Sequence, residues 1–468
     1  LNENEDTRST DPEGVSQADA PPLSTALVAG YGAASAPFEM LRAPALAILP
    51  ALYAKEYGME MTLISLALLL LRLSDGATDV IVGIWSDRTR SRWGPRKPWL
   101  FASIFLAVPA AYGLYVPGEA PSIWTFSICY FFFYLAWTLF DIPYTAWSSE
   151  LATRYEDRSR LALSRGLGQN IGLILLTLVP LLPFLPSTEM NFDTLHAMFW
   201  VVAVIYPLGV LYTVFRLPVG HFVASARTFS LRETFAAIRG NRPLTIFLGV
   251  CFLSDFALGC FQALFFLFFD SYLGLGTSFT LIFLSAIIVS TFSLRGWQVL
   301  VKRTSKNRLL VISLAATVLH GLLIALLEPG PYALPVFITY LAAFYALQAG
   351  RDAALYAIFG DVVDYDTLRT GENRAGQFSA AWMILRKIGY AVAPAVAFFV
   401  AGIAGYDPSG TSAQSDLAVF GLKAANGYLP ALFMAAALIL ALRFPLTASE
   451  HAEIRRQLDE RAADGAAR

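Results

Sequence analysis

Three charged residues interrupt the apolar run LLLLRLSDGATDVIVGIW. Arg72, Asp75 and Asp79 stand at i, i+3 and i+7 on one helical stripe, and Thr78 borders it with a hydroxyl. Two carboxylates a turn apart in a low dielectric offer hard oxygen ligands to a small cation. The same pair can instead relieve its mutual repulsion by carrying a proton. The plainer alternative is a packing network in which Arg72 neutralises one aspartate, although one guanidinium does not neutralise both. A later apolar run adds Asp141, with Thr138 at i−3 and Pro143 just after it, where freed backbone carbonyls can also serve an ion. Asp141 can complete a cage of carboxylates or simply stabilise a kink. WMILRKIGYAV supplies Arg386 and Lys387, and Lys387 can neutralise the acidic cluster when no cation is bound.

Further ionisable residues in apolar surroundings are Glu39, Arg165, Asp255, Arg295, Arg351 and Asp352. Arg165 can make bidentate hydrogen bonds to a hydroxylated or anionic solute, and Glu39 can accept from sugar hydroxyls. Arg351 and Asp352 read better as a structural pair. Trp137 and Trp382, each one turn before a charged residue, can serve as stacking platforms for a sugar or be ordinary packing. His320, alone on an apolar helix, reads as packed.

The elements that must hold these charges are membrane spans. Of 468 residues, 56% are hydrophobic and only 15% charged, against roughly a quarter charged in a soluble protein. A net charge of −1 gives no basic field for nucleic acid, and there is no nucleotide loop, metal cluster or nucleophile motif to indicate an enzyme. Cys129, Cys251 and Cys260 fall in apolar runs without metal or disulfide spacing. Runs long enough to cross a bilayer lie near 25–54, 60–86, 98–116, 122–150, 160–185 and 195–216, then near 243–271, 276–301, 308–327, 331–360, 377–404 and 424–444. This is an all-α polytopic membrane protein with twelve transmembrane helices in two pseudo-symmetric bundles of six. The expected units are a disordered tail over 1–24, the first bundle over 25–216, a middle loop over 217–242, the second bundle over 243–445 and a polar tail over 446–468. In that last tail, Thr447 and Glu450 make a capping box for a short surface helix. Even-numbered loops carry most of the Arg and Lys, so both termini are expected on the cytoplasmic side of a bacterial inner membrane.

The halves also share spacings. Asp141 to Glu150 matches Asp352 to Asp361, and Asp141 to Arg158 matches Asp352 to Arg369. Two related six-helix units around a central cavity, rocking against each other, are the expected consequence.

RLSDGATDVIVGIWSDRTRSRWGPRKPW resembles the second-helix and loop signature of the glycoside–pentoside–hexuronide cation symporters, the melibiose-permease group. DIPYTAWSSEL is similar to their fourth-helix motif and DVVDYDTLRTGENRAG to their tenth-helix exit. The resemblance covers 25–445 and implies a major-facilitator fold with Na+- or H+-coupled solute uptake and no cofactor. It implies that Asp75 and Asp79 are the paired cation aspartates, with Thr138 and Asp141 on the fourth helix. It also implies that Lys387 is the eleventh-helix lysine and that Arg165 lies within one residue of the sugar-contacting arginine. Thr78 stands where the permeases have asparagine, and Thr145 where they have a stacking tryptophan. Their first-helix sugar aspartate falls on Pro37 or Glu39, and counting back from Gly58 favours Glu39. Asp87 with Arg88 and Arg92 resembles the loop motif that latches the halves. A symporter for a sugar, glycoside or similar polar solute, working as a monomer in the bilayer, is the expected function. Transport of an amphiphile such as a lysolipid is the alternative, and a non-transporting sensor a more distant one.

Overall fold

The computed structural model describes residues 22–152, 154–220, 237–372, 374–410 and 413–466. Most of the tail expected over 1–24 and residues 221–236 of the middle loop lie outside the described residues. The described chain is helical, without strands. Among the described residues, ten helical segments are long and apolar enough to cross a membrane: Lys97–Tyr115, Ile123–Leu151, Glu156–Leu181, Phe192–Arg216, Arg242–Tyr272, Gly276–Trp297, Lys306–Leu326, Ala333–Thr370, Ala375–Ile403 and Asp416–Leu442. Two further elements precede them. The first is broken into Thr25–Gly32, Ser35–Ala47 and Leu49–Glu56. The second, Met61–Arg88, is long enough but carries Arg72, Asp75, Asp79, Asp87 and Arg88. Counted in chain order these are the first to twelfth spans.

The breaks in the first span have local causes. Pro44 and Pro50 flank Ile48, whose amide turns back to the Pro44 carbonyl at 2.9 Å. Proline removes a donor and crowds the preceding turn, so the helix restarts at Leu49. The first span packs on the fifth through small residues. A Cβ at Gly168 would collide with the Gly32 carbonyl, and one at Gly172 with the Ala36 carbonyl. This is the close backbone approach that glycines four residues apart permit in membranes. The second half repeats the device, with Gly389 of the eleventh span against the seventh-span backbone at Phe252 and Asp255.

The tenth span runs to Thr370, well past the end expected near residue 360. Its polar last turns are covered by the helix Ala448–Ala466, where His451 meets Asp364 at 3.1 Å and Asp361 at 3.2 Å. That terminal helix begins with the expected capping box, Thr447 N–H donating to Glu450 Oε2 at 2.6 Å and Glu450 N–H to Thr447 Oγ1 at 3.3 Å.

The second and eleventh spans lie antiparallel along the seam between the halves. Thr62 and Met61 pack against Gly402, and Ser65 Oγ donates to the Ala395 carbonyl at 2.7 Å. At the end away from both termini the halves are tied together. Lys55 pairs with buried Asp270 at 2.6 Å, Thr280 Oγ1 donates to the Thr177 carbonyl at 2.8 Å, and Thr188 Oγ1 to the Thr277 carbonyl at 3.1 Å. Toward the other end the facing spans expose Thr145, Tyr356 and Lys387. The protein is therefore in a state closed at the end remote from its termini.

Candidate functional site

The stripe on the second span meets the fourth and eleventh spans at the seam. Asp75 is buried, Asp79 less so. Thr138 Oγ1 lies 3.2 Å from Asp75 Oδ1 and 3.0 Å from Asp79 Oδ1, so one hydroxyl bridges the two carboxylates. Lys387 enters from the opposite half: its Nζ pairs with Asp79 Oδ2 and lies 3.7 Å from Asp75 Oδ2. Arg72 Nη1 is 3.8 Å from Asp75 Oδ2, and its guanidinium lies over the Tyr134 ring at 4.4 Å. The two acidic charges are thus matched by two cations, one of them belonging to the other half of the molecule. Thr78 is turned away, donating to the Asp75 carbonyl of its own helix at 3.0 Å.

Asp141 does not join this cage. It lies one turn beyond Thr138 and pairs through Oδ1 with Arg165 Nη2, while Arg165 Nη1 donates to Thr145 at 2.6 Å. The threonine that replaces the expected tryptophan therefore helps to hold the arginine. Arg165 also lies over the Tyr144 ring at 5.2 Å. The expected single constellation is two adjoining ones, because Thr138 and Asp141 reach different neighbours from the same helix face.

Glu39 is buried and closed into a bidentate pair with Arg42, at 2.9 and 2.5 Å. The sequence reading missed Arg42. It lies over Trp137 at 5.0 Å, and Arg72 approaches the same ring at 5.9 Å, so Trp137 links the Glu39 pair to the carboxylate stripe. The signal available was the i, i+3 spacing of Glu39 and Arg42. Trp382 is a correction. It is 5% exposed and packs among Phe247, Tyr356 and Phe359 in the core of the second half, so it is no platform for a solute. His320 is packed as expected, stacked on Tyr340 and bonded to its carbonyl at 2.8 Å.

The loop after the second span is anchored within its own half in this state. Asp87 pairs with Arg96 at 2.5 Å, while Arg88 is exposed and Arg92 lies over Trp93 at 5.7 Å. Arg96 also binds Glu150 at 2.7 Å and Ser86 at 2.8 Å, locking the starts and ends of the second to fourth spans. The second half has the matching pair, Lys306 at the start of the ninth span with Asp361 on the tenth, at 2.6 Å. Glu150 and Asp361 are the positions that the repeat spacing aligns.

Residues 30–448 match the family described as MFS/sugar transport protein. An uncharacterized symporter of Synechocystis sp. is 25% identical, with 86% of this chain and 91% of that protein covered. The glucuronide carrier protein homolog of Escherichia coli (strain K12) is 24% identical, with 94% and 96% covered. Among solved structures, that of the nucleoside transporter NupG superposes with a TM-score of 0.64 at 14% identity, covering 89% of this chain and 98% of that one. It shares the fold. With its twelve spans, its two related halves and a match over nearly its whole length, this chain is an integral membrane transporter that belongs to the MFS/sugar transport protein family.

Proposed function

We propose that this protein is a secondary symporter that couples inward movement of a cation, Na+ or H+, to uptake of a sugar, glycoside or related polar solute by alternating access. The observation that carries this reading is the amine of Lys387 lying between Asp75 and Asp79. A lysine from one half occupies the place a cation would take on the other, so the cation and the seam between the halves compete for the same carboxylates. Asp75, Asp79 and Thr138 are the proposed cation ligands, with Arg72 holding Asp75. Asp141, Arg165, Trp137 and the Glu39–Arg42 pair form the solute side. Asp87, Arg96 and Glu150 form the proposed gate element. The names of the relatives, a symporter and a carrier homolog, are consistent with this assignment.

The basic loops favour an inner-membrane orientation with both termini cytoplasmic. In that orientation the state closed by Lys55–Asp270 is inward-facing. Both halves of the pathway come from one chain, which fits a functional monomer. Counterflow in proteoliposomes tests the reading, using a panel of methyl glycosides, hexuronates and lysolipids, with and without Na+ at two pH values. Accumulation of a hydroxylated solute that responds to a Na+ or H+ gradient is expected. Lysolipid exchange alone would favour the amphiphile reading, and a recognised solute insensitive to both gradients would end the symport reading.

A further inference from the structure

The second half carries a carboxylate that the site described above does not use. Asp352 lies midway along the tenth span, and its side chain is 41% exposed. A carboxylate facing hydrocarbon at that depth costs about 3 kcal/mol or more, so its exposed side faces the aqueous cavity. It is held firmly from behind. Arg351, 1% exposed, donates to Asp352 Oδ1 through Nε at 3.1 Å and Nη2 at 2.7 Å, and also reaches Asp255 at 3.1 Å. Arg386 backs Asp255 at 3.9 Å. Among the described residues Asp352 Oδ2 accepts no hydrogen bond.

The same helix stripe continues in both directions. Gln348, one turn earlier, is buried with neither amide atom hydrogen-bonded among the described residues. Tyr356, one turn later, is 57% exposed and rests on Trp382, ring centroids 5.0 Å apart. Asp352 and Tyr356 together offer a carboxylate acceptor, a phenol hydroxyl and an aromatic face. By the repeat spacing Asp352 is also the counterpart of Asp141. Each is an aspartate clamped by an arginine through Oδ1, with Oδ2 left over.

We infer that Asp352 is the solute-binding carboxylate of the second half, accepting hydrogen bonds from hydroxyl groups of a polyhydroxylated solute, with Tyr356 beside it and Arg351 as its positioning residue. A solute held by Asp141 on one side and Asp352 on the other ties the halves together as they close. This rests on the transport reading above.

Two measurements decide it. In the first, Asp352→Cys is made in a background with Cys129, Cys251 and Cys260 replaced by alanine and treated with a membrane-impermeant methanethiosulfonate reagent in opened membranes, where it reaches the side of the termini. Labelling is expected. Its absence overturns the inference whether or not a solute is known. In the second, Asp352→Asn and Asp352→Glu are assayed in counterflow with the methyl glycoside or hexuronate that the unsubstituted protein exchanges best. Asp352→Asn is expected to raise KM about tenfold, the worth of one hydrogen bond to a charged group, with the maximal exchange rate and half-saturating cation concentration retained. Asp352→Glu should recover part of the loss. An unchanged KM with a lower protein yield would mark Asp352 as a packing residue and overturn the inference. Failure of the unsubstituted protein to exchange any solute would instead count against transport.

Discussion

Lys387 reaches across the seam from the second half to the acidic pair of the first. Removing it should therefore favour a competing cation. Lys387→Gln is expected to lower the half-saturating concentration of the coupling cation several-fold while reducing gradient-driven accumulation; an unchanged cation dependence would show that the amine and the cation do not compete. Asp79→Asn should abolish accumulation but leave counterflow, because the proposed solute contacts lie on Asp141 and Arg165. At the first span, Arg42→Ala strands a buried carboxylate. Losing one partner of a buried pair costs roughly 3 kcal/mol, so the variant should melt well below the parent, and Glu39→Gln in the same chain should restore much of the loss. At this scale the sequence was legible where charge is expensive: Asp75, Asp79, Asp141, Arg165 and Lys387 stand out against leucine and phenylalanine. Which of them touch was not legible. Thr138 and Asp141 share a face yet serve different neighbours, and Arg42 pairs with Glu39, because such pairings depend on helix rotation and tilt that one sequence does not encode locally. Trp382 misled for the same reason, since proximity to Arg386 along the chain says nothing about which face is buried.

Among the elements, the first-to-fifth packing depends on Gly168 and Gly172. Gly172→Val would push the fifth span off Ala36 and carry Arg165 away from Asp141. The expected outcome is a large drop in melting temperature and loss of solute exchange. Gly166→Ala, on the same helix with nothing within 4 Å of the added atom, should be neutral or slightly stabilising. A melting curve that treats the two alike would discount the close approach. Twelve spans were readable from hydropathy and loop charge, yet two escape a strict test of length and apolarity. One is broken by Pro44 and Pro50, and the other carries Arg72, Asp75 and Asp79. The tenth span was read short because its last turns are polar and owe their burial to the terminal helix, a contact between segments distant in the sequence.

For the molecule as a whole, the Lys55–Asp270 pair and the Thr280 and Thr188 bonds hold one end shut. Lys55→Ala should shift the population toward the opposite state, raising modification of Ser65→Cys by an impermeant thiol reagent added from the far side, in the same cysteine-free background. No change in that rate would mean that apolar packing alone keeps the end closed. The internal repeat was visible in the sequence as matching spacings, and it reappears in Arg96–Glu150 and its counterpart Lys306–Asp361. The direction in which the cavity opens was not visible, since both states use the same residues. The amine in the acidic pair has an electrical consequence. Arg72 and Lys387 balance Asp75 and Asp79 in the vacant carrier, so its return stroke should move no charge. A cation joining the cluster leaves the loaded carrier one charge more positive, and a potential of 100 mV then acts on that stroke with up to about 2.3 kcal/mol. Transient currents on a supported membrane should appear when solute and cation are added together and vanish when the empty protein cycles alone.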